Sequence, residues 1–133
     1  MSLIVDASVA VKWFADEPGS AKALALYEQE DDLIAPTLII AEVGNALWKK
    51  RRKKLVTEEQ VRLALDALPR SLGRLYDFAD LTSAAADFAL RFDHPIYDCF
   101  YIALAQRERA GLVTADARME EIAKKARVDV KLL

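Results

Sequence analysis

Leu3-Ile4-Val5-Asp6-Ala7-Ser8 places three apolar residues directly before an acid. An apolar run of this length, without polar alternation, reads as a short strand buried on both faces, as in parallel sheets covered by helices. Leu33-Ile34-Ala35 and Leu112-Val113-Thr114 have the same form. Residues 73–78 and 128–131 can supply two more strands. Between these runs the spacing predicts helices over 7–14 and 20–29. A further helix opens at Pro36, a residue suited to a first helical turn, and runs into the basic block Lys49–Lys54. Thr57 to Gln60 reads as a capping box with Val56 and Val61 as its hydrophobic staple, starting a helix that ends near Pro69. Helices over 81–91, 96–109 (closed by Gly111) and 116–126 complete the pattern. Strands alternating with helices mean an α/β fold: a three-layer α/β/α sandwich around a parallel sheet of about five short strands.

The chain has 133 residues, 53% hydrophobic and 30% charged, which fits a single domain over 1–133 with a core of its own. One cysteine, Cys99, leaves no internal disulfide and no Cys-rich zinc site, as suits a reducing cytoplasm. Met1 to Asp6 lacks the basic region of a signal peptide, and no apolar run approaches the roughly 20 residues of a membrane span. The single histidine argues against a catalytic triad or a His-rich metal site. The net charge of −2 at first speaks against a nucleic-acid partner.

The position of the acids changes that picture. Asp6 and Asp116 each follow a buried strand and precede a helix. Each suits a helix cap, but the carboxyl ends of strands are also where open α/β sheets bind ligands. Ser8, two residues on, can support Asp6 or add a ligand. Glu42 lies in Leu38-Ile39-Ile40-Ala41-Glu42-Val43-Gly44, where Glu42, Asn45 and Lys49 make a narrow polar stripe on an apolar helix. Asp98 is likewise isolated in Ile96-Tyr97-Asp98-Cys99-Phe100-Tyr101-Ile102, although an acid in a first turn also complements the helix dipole. Four carboxylates on four elements, drawn to one end of a sheet, repel one another and must take up cations or protons. Their hard oxygens favour Mg²⁺ or Mn²⁺, one or two ions, and carboxylate-held divalent ions serve phosphodiester hydrolysis without a nucleophilic side chain.

Ile4-Val5-Asp6-Ala7-Ser8, the segment Ala35 to Leu47, Tyr97 to Ala105 and Leu112-Val113-Thr114-Ala115-Asp116 together resemble PIN domains, and most nearly the VapC toxins of type II toxin–antitoxin pairs. The ordered set spans nearly the whole chain. The resemblance implies a Mg²⁺- or Mn²⁺-dependent ribonuclease that leaves a 5′-phosphate and a 3′-hydroxyl. It makes Asp6, Glu42, Asp98 and Asp116 the acidic metal site, with Ser8 and Thr114 as supporting polar groups and Asn45 orienting Glu42. It also implies a homodimer silenced by a VapB-type antitoxin laid across the active-site groove, in the cytoplasm and away from membranes.

Lys49-Lys50-Arg51-Arg52-Lys53-Lys54 is a solvated helix end, an edge that grips RNA phosphates, or both. His94 reads as a helix-entry residue, Cys99 as a core filler and Asp93 as a helix cap. Trp13 and Trp48 read as core or dimer-face residues, Tyr97 and Tyr101 as structural. Asp16, Glu17 and the run Glu28–Asp32 read as solvated surface. Two other functions compete: a PIN-like module that holds RNA or protein without cutting, and an Asp-based phosphoacceptor domain. The second lacks the additional acid that a phosphoacceptor places beside its first strand-end aspartate.

Overall fold

The computed structural model describes residues 2–30 and 32–133. Met1, with which the leader reading begins, and Asp31, within the acidic run 28–32, lie outside the described residues. Five strands, β1 (Leu3–Val5), β2 (Leu33–Pro36), β3 (Arg74–Tyr76), β4 (Gly111–Thr114) and β5 (Val130–Leu132), form one sheet in the order β3-β2-β1-β4-β5. Every pairing is parallel. The α-helices are α1 (Ala7–Ala10), α2 (Ser20–Gln29), α3 (Leu38–Arg52), α4 (Glu58–Ala67), α5 (Thr82–Phe92), α6 (Ile96–Glu108) and α7 (Ala117–Lys125). Right-handed crossovers put the connections β1–β2 and β2–β3 on one face and β3–β4 and β4–β5 on the other. This is the expected α/β/α sandwich.

β1 is the central strand, and the chain leaves it first toward β2 and later returns on its other side to β4. The crevice between the carboxyl ends of β1 and β4 is therefore the switch point of the sheet, where such folds bind their ligands. Helix α6 packs on β1, β2 and β4. Its run Cys99–Ala105 is buried without a break, so this helix has no solvent face over two turns and keeps its charged groups to its two ends.

Local chemistry explains the element ends. Thr57 and Gln60 exchange hydrogen bonds of 3.1 and 2.7 Å in the expected capping box. Pro36 does not open α3. It closes β2 opposite Tyr76, since a prolyl nitrogen with no hydrogen is tolerated at the end of a strand. Gly111 does not punctuate α6 either. Arg109 ends that helix in the left-handed region (φ 52°), while Gly111 starts β4 beside Leu3, where an added Cβ would lie 3.3 Å from Leu3 Cδ1. The last strand begins at Val130, later than expected, because the Val128 N–H is still bonded to the Ala123 carbonyl at the end of α7. Asp93 closes α5 with φ 50° and makes no N-terminal cap for α6. Glu17 is no free surface acid. Burial works to raise its pKa, but ion pairs with Lys50 (2.5 Å) and Lys12 (2.9 Å) outweigh that and lower it. Among the described residues no helix is long and apolar enough to cross a membrane.

Candidate functional site

Asp6 leaves β1 with extended backbone and accepts the Val9 N–H at 3.2 Å, so the cap reading holds. The side chain is also buried at the switch point, with the residue only 4% exposed, and two hydroxyls hold it there. Ser8 donates to Oδ1 at 2.6 Å and Thr114 to Oδ2 at 2.6 Å. Each hydroxyl in turn accepts a backbone N–H from the turn after β4: Ser8 from Ala115 at 2.9 Å and Thr114 from Asp116 at 3.1 Å. An accepted N–H occupies a lone pair and leaves the hydroxyl's single proton to point at Asp6. These bonds favour the charged carboxylate, yet burial outweighs them and pushes the Asp6 pKa up to about 6, with a smaller contribution from the charge of Asp98.

Glu42 comes from α3. Burial raises its pKa, a hydrogen bond from Tyr101 works the other way, and the charges of Asp98 and Asp6 raise it further. The Tyr101 hydroxyl donates to Oε1 at 2.6 Å. Tyr101 is 1% exposed, and its own pKa is driven well up by burial and by Glu42. Asn45 is exposed and makes no hydrogen bond to Glu42 among the described residues, so the residue that orients this acid is Tyr101. Its position was readable: Tyr101 lies three residues after Asp98, on the same face of the helix.

Asp98 is held at Oδ2 by the ring of His94, with Nε2 2.7 Å away and the His94 side chain 3% exposed. Nδ1 is buried and has no hydrogen-bond partner among the described residues. With its proton on Nε2 the ring donates to Asp98 and leaves Nδ1 a bare acceptor, a smaller cost than a buried N–H with nothing to receive it. His94 is thus more than a helix-entry residue. His94, Asp98 and Tyr101 form a second polar stripe, parallel in logic to the one on α3.

Three of the four expected acids therefore share one field. The charge of Asp98 acts on both Asp6 and Glu42, and that of Asp6 on Glu42. Asp116 is not among the charges that shift Asp6 or Glu42. It is exposed and accepts the Arg118 N–H at 2.9 Å as the cap of α7. Among the described residues no three His, Cys, Asp or Glu side chains come together as a group that could hold a metal ion. The donor set nonetheless fits Mg²⁺ or Mn²⁺. Glu42 Oε2 and Asp98 Oδ1 accept no hydrogen bond among the described residues, and such ions bind through one or two carboxylates while keeping several waters.

The basic run ends α3 and turns outward. Lys50 pairs with Glu17, Arg51 with Glu58 at 3.0 Å, and Arg52 lies over the Trp48 ring at 5.1 Å. Lys49 stands apart from these pairs. With Leu38, Ala41, Glu42, Asn45, Ala46 and Tyr97 it lines a groove of about 510 Å³ in which Glu42 is the one acid.

A family model described as PIN domain matches residues 3–125. The chain is 31% identical over 123 residues to Ribonuclease VapC3 of Pyrobaculum aerophilum, covering 91% of this chain and 94% of that protein. It is 35% identical over 116 residues to Ribonuclease VapC1 of Mycobacterium tuberculosis, covering 87% and 86%. Its fold is similar to the crystal structure of VapBC2 from Rickettsia felis bound to a DNA fragment from their promoter (TM-score 0.72, 18% identity, 99% of this chain and 98% of that one).

Proposed function

The chain belongs to the PIN-domain family, in its VapC-type branch, and from that premise we propose that it is the ribonuclease toxin of a toxin–antitoxin pair, hydrolysing RNA phosphodiester bonds with Mg²⁺ or Mn²⁺. The observation that carries the reading is that Asp6, Glu42 and Asp98 come from three elements into one field, the charge of Asp98 raising the pKa of Asp6 and of Glu42 and the charge of Asp6 raising that of Glu42. Uncompensated, such a group costs stability. A divalent ion removes the repulsion and, when bound, lowers the pKa of an attacking water and neutralises charge on the phosphate.

The chain's own residues have distinct tasks. Ser8 and Thr114 keep Asp6 ionised and fixed against the pull of burial. Tyr101 and His94 each hold one oxygen of Glu42 and Asp98, leaving the other oxygen to bind the ion. Asp116, at the rim, serves as an outer ligand or holds a water of the ion. Asn45 and Lys49 line the approach, and Lys53 and Lys54 extend a positive edge for RNA. Lys50, Arg51 and Arg52 are already engaged and contribute less. Two ions are compatible with the acids as well as one. The expected products carry a 5′-phosphate and a 3′-hydroxyl. A VapB-type antitoxin and a second copy of the chain are the proposed partners, in the cytoplasm.

The test compares the protein with Asp6→Asn on structured RNA in Mg²⁺, Mn²⁺ or chelator. Cleavage by the unaltered chain alone, abolished by chelator and restored by added ion, is the expected result. Cleavage that survives both the substitution and the chelator refutes the metal mechanism. RNA binding without cleavage in any ion assigns the chain to the non-cutting module.

A further inference from the structure

The groove beside Glu42 is more than the setting of one acid. One of its walls is the ring of Tyr97, which sits in the first turn of α6 and is 60% exposed. An aromatic side chain placed immediately before an active-site acid and left largely in solvent is not explained by packing. Across the groove α3 offers Leu38, Ala41 and Ala46, small or apolar groups that leave the ring accessible, and then Lys49. Lys49 is exposed and enters no ion pair among the described residues. It lies seven residues after Glu42, roughly 10 Å along the helix. Along α3 the lining runs Leu38, Ala41, Glu42, Asn45, Ala46 and Lys49, so the groove brings apolar groups, a carboxylate, an amide and a cation with no ion pair among the described residues to one cavity with the Tyr97 ring.

We infer that this groove is a binding subsite for one unpaired RNA base, stacked on Tyr97, with a neighbouring backbone phosphate on Lys49. The inference rests on the ribonuclease reading above and adds where and how the substrate is read. Single-stranded nucleic acid is held by an aromatic platform for the base and a cation for the backbone. A duplex cannot present a base face to Tyr97, so the subsite selects loops and single strands. An acidic peptide is a poorer occupant, because Glu42 forms part of the lining. A second copy of the chain would cover Tyr97 by apolar contact and leave Lys49 without a role.

The test is a double-mutant cycle between the protein and its substrate. Binding of an unstructured RNA oligonucleotide is measured for the Asp6→Asn protein with and without Tyr97→Ala. The same oligonucleotide is then scanned with one abasic nucleotide at successive positions. Tyr97→Ala is expected to weaken binding about 5- to 100-fold, the range for losing one stacked base. One abasic position should produce a similar loss, and combining the two should cost no more than either alone. Tyr97→Phe keeps the ring and should bind within about twofold, while Mn²⁺ affinity measured by calorimetry on the otherwise unaltered chain stays the same in both variants. Strictly additive losses at every position, or unchanged binding in Tyr97→Ala, overturn the subsite while leaving the nuclease reading intact. A fall in molecular mass in Tyr97→Ala, with RNA affinity following it, gives the face to a second copy and also overturns it. Failure of the nuclease reading appears separately, as absent cleavage of intact RNA by the unaltered chain.

Discussion

Asp6 and Asp116 stand in the same local setting. Each follows a strand, each has extended backbone, and each caps a helix through a backbone N–H. Their surroundings differ. Asp6 follows the central strand and is enclosed by Ser8 and Thr114, whereas Asp116 comes two residues after β4 and remains in solvent. The comparison separates two jobs that one residue type performs. A cap needs only a turn of helix, while a buried, field-coupled carboxylate needs neighbours from distant parts of the chain.

The sharpest way to break this comparison is to neutralise each acid in turn. Asp6→Asn should reduce cleavage on the order of a thousandfold or more, as for loss of a central charged group in a water-excluded site. Asp116→Asn should cost about tenfold, as for a residue acting through an ion's outer contacts. Equal losses, measured as kcat/KM on one RNA, would mean that Asp116 moves inward when the ion binds.

The pH dependence of stability should divide the same pair. The folded chain holds a proton on Asp6 between the ordinary carboxylate value of 3.8 and about 6, after the unfolded chain has released its own. In chelator, stability should therefore fall as pH rises through that window, by up to about 3 kcal/mol. Urea melts of Asp6→Asn should show a smaller fall, that due to Glu42 remaining, whereas Asp116→Asn should keep the whole of it. Parallel profiles for Asp6→Asn and the unaltered chain would show that burial does not govern Asp6.

A smaller effect is expected at the hydroxyls. Thr114→Val removes the donor to Asp6 Oδ2 without changing side-chain shape, and leaves the Asp116 N–H without its acceptor. Mn²⁺ affinity, measured by calorimetry without RNA, should drop about 10- to 100-fold. Unchanged affinity would show that Ser8 and the Val9 N–H suffice to hold Asp6.

The strands and most helices were legible because their signals are local: apolar runs for β1, β2 and β4, and a side-chain cap at Thr57. The four acids stood out because each interrupts an apolar stretch. What remained hidden depends mostly on distant chain segments. Pro36 suits a helix start and a strand end equally, and only pairing with Tyr76 decides between them. Tyr101 shares a helix face with Asp98, but its bond to Glu42, 59 positions away, forms only when α6 packs beside α3. The His94–Asp98 contact is local, but a histidine before a proline carries no other signal. That Asp6 is buried and Asp116 exposed was not legible either, because the signal of a strand-end acid carries no information about what encloses it.

The Thr114 hydroxyl reaches across 108 positions of sequence to bond Asp6. A ribosome adding about 5–20 residues per second makes Asp6 roughly 5–20 s before the residue that secures it. Throughout that interval Asp6 has only its near neighbours Ser8 and Val9 to hold Oδ1, and nothing holds Oδ2. The support of this acid is thus completed late in synthesis, in the order in which the strands are translated.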